Sequence, residues 1–375
     1  MKNSDINQLL QTRIEAGDFP SAVYLAAEKG EIVLHDALGL AVVEPEKHEA
    51  QKDTIYDLAS LTKALVTGLL CAKLIELGEI LLSDKIAKYF AEFDTNEKRE
   101  ITIENLLVHT SGFSNWKPFY LNAERRMQRA EVILRKIIAE PLANPVNSKV
   151  VYSDLNFLML GFLIEKLYGK SLDKIAGREI FAPLELQNTF FNPPKSLLEK
   201  IAASEKGNEF EKNTCREMFP EIRIPDSAFR NYQIWGEVHD GNCYFMKGVS
   251  GHAGLFSAAG DVFKIALQFL PRTTKILKPE TCALFRKNFT KNLNEARSIA
   301  FQLAETPDSA AGACLSNDSF GHLGFTGTSL WIEPETERIF ILLTNRTHAR
   351  ELPFVLLNST RRKFHALATE VLNEL

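Results

Sequence analysis

The period of the hydrophobic pattern changes along this 375-residue chain, and that change limits the folds open to it. Near the N-terminus, Ser21–Ala27 (SAVYLAA), the turn Glu28-Lys29-Gly30 and Ile32–Leu34 read as strand, turn and strand. Toward the other end, Ser329–Ile332, a turn at Pro334–Glu337 and Arg338–Leu343 read as a hairpin. Between them apolar residues recur at helical spacing. Ser60–Leu77 is the first such stretch and stops at Gly78, a favourable residue just past a helix end. Glu104–Val108, Arg129–Ala139, Asp154–Tyr168 and Asp261–Phe269 follow. Further helices are expected at Ile6–Ala16, ending near Gly17, and at Arg361–Leu375. The expected class is α/β (α+β): a sheet built from both termini and flanked by helices, with a helical domain inserted. Residues 1–70 and 250–375 would form the sheet domain and 71–249 the mostly helical insert.

Composition removes several function classes. Lysine and arginine number 44 against 48 acidic residues, a net charge of −4 without a basic block, so no electrostatic case for nucleic acid exists. The pairs Arg361–Arg362 and Arg125–Arg126, with Arg129 beyond the second, read as solvated helix faces. Five scattered cysteines (Cys71, Cys215, Cys243, Cys282, Cys314) form no C-x-x-C pair, so they read mostly as buried thiols rather than a disulfide framework or a zinc site. No apolar run is long enough for a membrane span. Met1-Lys-Asn-Ser-Asp-Ile6 carries no signal-peptide pattern, which gives a cytoplasmic expectation for the chain as written, or a periplasmic or secreted one if a leader was removed.

Three segments carry chemistry. Ser60-Leu-Thr-Lys63 is an S-x-x-K motif at the start of a predicted apolar helix. A serine hydroxyl is a weak nucleophile until a base removes its proton, and a lysine three residues on lies one helical turn away. The helix N-terminus favours the developing anion. By itself the motif is weak, since ~1–2 occurrences arise by chance in a chain this long. Ser171-Leu-Asp-Lys174 is such a decoy, where the serine reads as a helix N-cap. The second segment is Val151-Tyr-Ser-Asp154, opening a helix; a phenol can relay protons beside an ammonium. The third is Gly321-His-Leu-Gly324-Phe-Thr-Gly-Thr-Ser329, where glycine lets a substrate approach the backbone and a backbone N–H can complete an oxyanion hole with that of Ser60. A helix-capping Asp154, a structural tyrosine and a surface His322 are the plain alternatives.

In this order the three segments resemble the serine β-lactamase and penicillin-binding-protein superfamily, in particular the class C β-lactamase-like pattern of S-x-x-K, then Y-x-N, then K-T-G or H-x-G. Gly78–Asp84, Ile101–Gly112, Gly251–Ser257 and Leu343–Arg346 resemble the same family, so the resemblance spans roughly Ser21 to Arg346. It implies a β-lactamase-like fold with an antiparallel sheet, and a serine hydrolase working through an acyl-enzyme on an amide or ester. Ser60 is then the nucleophile, Lys63 its base and Tyr152 the proton relay. His322 and Gly324 lie on the substrate strand, and the N–H groups of Ser60 and Phe325 form the oxyanion hole. No cofactor and no metal are implied, and the partner is a small-molecule or peptide substrate. The oligomeric state is left open.

Two positions depart from the pattern. Asp154 replaces asparagine, and a carboxylate only accepts hydrogen bonds; it could pair with Lys63 and raise the lysine pKa. His322 replaces lysine, and a neutral imidazole attracts a carboxylate less than an ammonium does. Both point away from an efficient β-lactamase and toward a D,D-peptidase-like, D-aminopeptidase-like, esterase or amidase activity. Trp235–Cys243 followed by Gly248–Ser257 is similar to a subgroup that includes exo-acting N-acetylmuramyl-L-alanine amidases. Asp154, His239, Asp240 and Arg346 are candidates for substrate contact, against the alternatives of a loop-bracing histidine and a solvated strand-end arginine. A non-catalytic binding or sensor module would have lost the serine, lysine or tyrosine, and all three are present. Gly248-Val-Ser250-Gly-His252 only approaches the G-x-S-x-G pattern, and H-E-x-x-H is absent.

Overall fold

The structure is a computed structural model that describes residues 3–121, 127–220 and 224–374. Strands β1 (Ser21–Glu28), β2 (Glu31–Val42) and β3 (His48–Glu49) come from the first part of the chain. Two short strands of the middle, β4 (Tyr56–Asp57) and β5 (Thr189–Phe191), pair on either side of β6 (Leu255–Ser257). The last part supplies β7 (Arg297–Ser298), β8 (Phe301–Leu303), β9 (Phe320–Leu323), β10 (Ser329–Glu333) and β11 (Arg338–Thr344). The large sheet runs β3-β2-β1-β11-β10-β9-β8-β7 and is antiparallel throughout. N-terminal β1 therefore pairs directly with C-terminal β11, Val23 opposite Leu343 and Leu25 opposite Ile341.

Both faces of β1 and β11 are buried, which explains their near-continuous apolar runs. Tyr24, Trp331, Phe340 and Leu342 point one way, against α1 (Ser4–Glu15) and the C-terminal helix Asn358–Asn373. Val23, Leu25, Leu330, Ile339 and Ile341 point the other way, into the core shared with the central helices. Those are α2 (Leu69–Glu76), α3 (Ile103–Leu107), α4 (Arg129–Ala139), α5 (Asp154–Tyr168), α6 (Leu172–Ala176) and α9 (Ala259–Ala266); α7 (Glu209–Met218) and α8 (Gly241–Phe245) lie between α6 and α9 in sequence, and Asn358–Asn373 is α10.

Arg129–Ala139 and Asp154–Tyr168 are helices with the expected bounds. Elsewhere the chain differs from the periodic reading. The second strand runs to Val42 rather than Leu34. The helix expected from Ser60 starts one residue later, at Leu61, and is interrupted by a π-helical segment at Lys63–Gly68 before α2 proper begins at Leu69. Its end is as expected, with Gly78 at φ +73°. Four cysteines are buried and Cys314 is half-buried. Arg361, expected on a solvated face, is 3% exposed inside α10. Arg125 and Arg126 lie outside the described residues. Among the described residues no helix is long and apolar enough to cross a membrane.

Candidate active site

Ser60 ends a tight turn between β4 and the helix. Ala59 sits at φ +46°, a conformation unfavourable for a residue with a Cβ, so the turn has to be held from outside. Asp57 ties it to a distant loop: Oδ1 accepts the Ala59 N–H at 2.9 Å and Oδ2 accepts the His239 N–H at 2.8 Å. The third segment grips the same turn, with Thr326 Oγ1 donating to the Asp57 carbonyl at 2.6 Å and Thr328 Oγ1 to that of Leu58 at 3.1 Å. Gly324 permits this approach, since a Cβ there would lie 2.5 Å from the Leu58 carbonyl oxygen. The backbone N–H groups of Ser60 and Phe325 make no hydrogen bond among the described residues, as an oxyanion hole requires.

One turn on, the fully buried Lys63 reaches back. Its Nζ lies 2.9 Å from Ser60 Oγ, 2.9 Å from the His252 carbonyl oxygen and 2.7 Å from Asp154 Oδ1. Burial alone would lower its pKa; the charge of Asp154 and the Tyr152 phenol win, and the ammonium is held above the ordinary lysine range. Lys63 therefore rests protonated. Asp154 is the first residue of α5, and the N-cap is Ser153, which makes no side-chain cap bond.

Tyr152 stands over this group, with Lys63 Nζ 5.1 Å from its ring centroid and its hydroxyl buried. Burial raises its pKa, with Lys63 pulling the other way, so the phenol rests protonated. His109 and His322 flank the ring at centroid distances of 4.7 and 5.8 Å, and the Arg297 guanidinium lies 5.5 Å above it. His322 is buried, not a surface residue. Burial first, then the cations Lys63 and Arg297, hold its pKa well below the ordinary histidine value. The ring is neutral, with Nδ1 donating to the Leu323 carbonyl at 2.9 Å and Nε2 left as an acceptor.

Ser60, Tyr152, Asp154, Arg297 and His322 line a cavity of about 610 Å³ together with Asp240, His239, Arg346 and Arg361. Asp240 caps α8 and accepts from His252 Nε2 at 2.9 Å. Burial opposes its ionisation, but the His252 ring and the Cys243 N–H outweigh that and hold the pKa down to about 2. His239 braces the loop: its ring bonds Glu205 at 2.7 Å and stacks on Phe325 at 5.3 Å. Arg346 spends Nε on the Phe325 carbonyl and Nη1 on that of Val355. Asp154, Asp240 and His252 bring ligand-type atoms within 4.8 Å of one another, yet the Lys63 ammonium is the cation already in contact with Asp154.

Sequence reasoning missed Asp57, Glu211, Arg297 and Arg361. Only Asp57, three residues before Ser60, sat close enough to a motif to be noticed. The decoy Ser171 is an N-cap position on α6, away from this cavity.

The Beta-lactamase family model matches residues 6–356. A putative D-alanyl-D-alanine carboxypeptidase of Escherichia coli K12 is 30% identical over 92% of this chain and 82% of its own. The N-acetylmuramyl-L-alanine amidase of Bacillus subtilis is 29% identical over 92% of this chain and 80% of its own. A class C β-lactamase of Rhodobacter sphaeroides shares the fold, with a TM-score of 0.71 at 17% identity over 98% of this chain and 99% of its own. With the S-x-x-K serine and lysine in contact beside a buried tyrosine, this chain belongs to the β-lactamase family of serine hydrolases.

Proposed function

We propose that Ser60 attacks the carbonyl of an amide in a cell-wall-derived or D-amino-acid peptide and forms an acyl-enzyme. The observation that carries this reading is the 2.9 Å contact between Lys63 Nζ and Ser60 Oγ. Because Lys63 rests protonated, it must first release a proton, and Asp154 Oδ1 at 2.7 Å is the acceptor at hand. Substrate covering the pair excludes water, and a dry site favours the neutral carboxylic acid and amine over two ions. Lys63 then takes the Ser60 proton as the Oγ–carbon bond forms. The N–H groups of Ser60 and Phe325 hold the oxyanion. Collapse breaks the scissile bond, the leaving nitrogen takes the Tyr152 proton, and Lys63 returns a proton to Tyr152. Water repeats the sequence with the roles reversed and frees Ser60.

The names of the two relatives favour cell-wall amides. Esters and β-lactams are the competing substrates. Within the same reading, residues 1–70 and 250–375 act as the sheet domain and 71–249 as the helical one, with the cleft between them. A turnover panel of p-nitrophenyl esters, nitrocefin, D-amino-acid peptides and muramyl peptides tests it, with Ser60→Ala as control. Cleavage of a peptide or muramyl amide, lost in the control, is expected; turnover of esters alone would overturn the amide assignment.

A further inference from the structure

We propose that Glu211 is the receptor for a primary ammonium group carried by the substrate. This rests on the reading of the cavity as the substrate cleft. Glu211 lies in the first turn of α7, is 6% exposed, and lines the cavity that also holds Ser60. Its Oε1 accepts the Gly241 N–H at 2.8 Å and its Oε2 the Tyr120 hydroxyl at 2.9 Å. A carboxylate offers about four lone-pair sites, so each oxygen keeps acceptor capacity.

Among the described residues no cation is in ion-pair contact with it. Buried charges are ordinarily paired. Among the described residues, His239 gives its Nε2 to Glu205, and Arg230 gives its guanidinium to Asn208, Glu237 and the carbonyls of Val238 and His239. The other titratable neighbours are Asp240, Tyr120 and, one turn along α7, Cys215. Burial first, then the charge of Asp240, push the carboxyl up to about 7, against His239, the Gly241 N–H and Tyr120. The group is thus poised between its two forms, and an arriving ammonium would settle it as the anion. Gly241 keeps the carboxyl in place, because a Cβ there would lie 2.3 Å from Oε2. Arg297, Arg346 and Arg361 line the same cavity and would repel an ammonium, and its other carboxylates, Asp154 and Asp240, already face Lys63 and His252.

The test reads protection of Ser60, which needs no knowledge of the scissile bond. D-alanyl-D-alanine peptides bearing a lysine or ornithine side chain, free or acetylated, compete with a fluorophosphonate for the wild-type protein. At pH 8.5 a free-amine peptide is expected to half-protect at roughly a tenfold lower concentration than its acetylated twin, the effect of one hydrogen-bonded charge pair. The ratio should shrink as pH falls through 7 and reach about one in Glu211→Gln, while Tyr120→Phe keeps it above one. Equal protection by both twins in the wild type, or a ratio that survives Glu211→Gln, would overturn the proposal. If the fluorophosphonate never labels Ser60, the hydrolase reading fails instead.

Discussion

Lys63 Nζ and Asp154 Oδ1 stand 2.7 Å apart, with the lysine side chain fully buried and the carboxylate 16% exposed. The pair sets the proton inventory of the site. If Asp154 takes the lysine proton during acylation, the active and resting forms hold the same number of protons, and no proton need leave to solvent.

Asp154→Asn separates these cases. Without the carboxylate, burial is opposed by the Tyr152 phenol alone, the Lys63 pKa falls, and the lysine must lose its proton to water before it can act. The variant should therefore gain a new limb in kcat/KM, rising with pH, where the wild type is flat. Rate profiles between pH 5 and 10 check this, and superimposable profiles would show that Asp154 handles no proton.

Asp57 is predicted to govern rate rather than affinity. Removing its carboxylate in Asp57→Ala frees the Ala59 turn and unties the loop at His239. Displacing a nucleophile by about 1 Å costs on the order of 100-fold, so kcat should fall ~10–100-fold with KM little changed. Steady-state kinetics alongside a melting curve tests this; a loss confined to melting temperature would make Asp57 structural only.

Buried neutral histidines should make the fold acid-labile. His365 packs against Trp331, Phe340 and Phe364, and its Nδ1 donates to the Ala311 carbonyl at 2.9 Å. Burial lowers its pKa from 6.5 to about 4. A base with a depressed folded pKa contributes stability that is intact above 6.5 and drains away as pH falls toward 4. The loss is on the order of 2–3 kcal/mol. His365→Asn keeps the donor without the titration, so denaturation between pH 7 and 4 should show a shallower slope for the variant. An identical slope would remove His365 from the account.

The motifs were legible because their chemistry is local in sequence: Ser60 and Lys63 are one turn apart, and Tyr152 opens a helix whose bounds the periodicity gives correctly. The central strands β1, β10 and β11 were legible as apolar runs bounded by turns. Strands β4 to β9, of two to four residues, were not, being too short to show a period. The π-helical segment Lys63–Gly68 was also hidden, since its apolar residues read as an ordinary helix. Glu211, Arg297 and Arg361 reach the cavity from three distant segments and carry no motif. His239 was noticed for its loop, but its ring turned out to be spent on Glu205 and Phe325.

The central claim is that Ser60, activated by Lys63, is the residue acylated. Incubation with a fluorophosphonate followed by peptide mass spectrometry tests it most directly. One adduct on the Ser60 peptide is predicted, absent in Ser60→Ala and slowed by several orders of magnitude in Lys63→Ala. An adduct that persists in Ser60→Ala, or a Lys63→Ala protein that labels at the wild-type rate, would contradict the account.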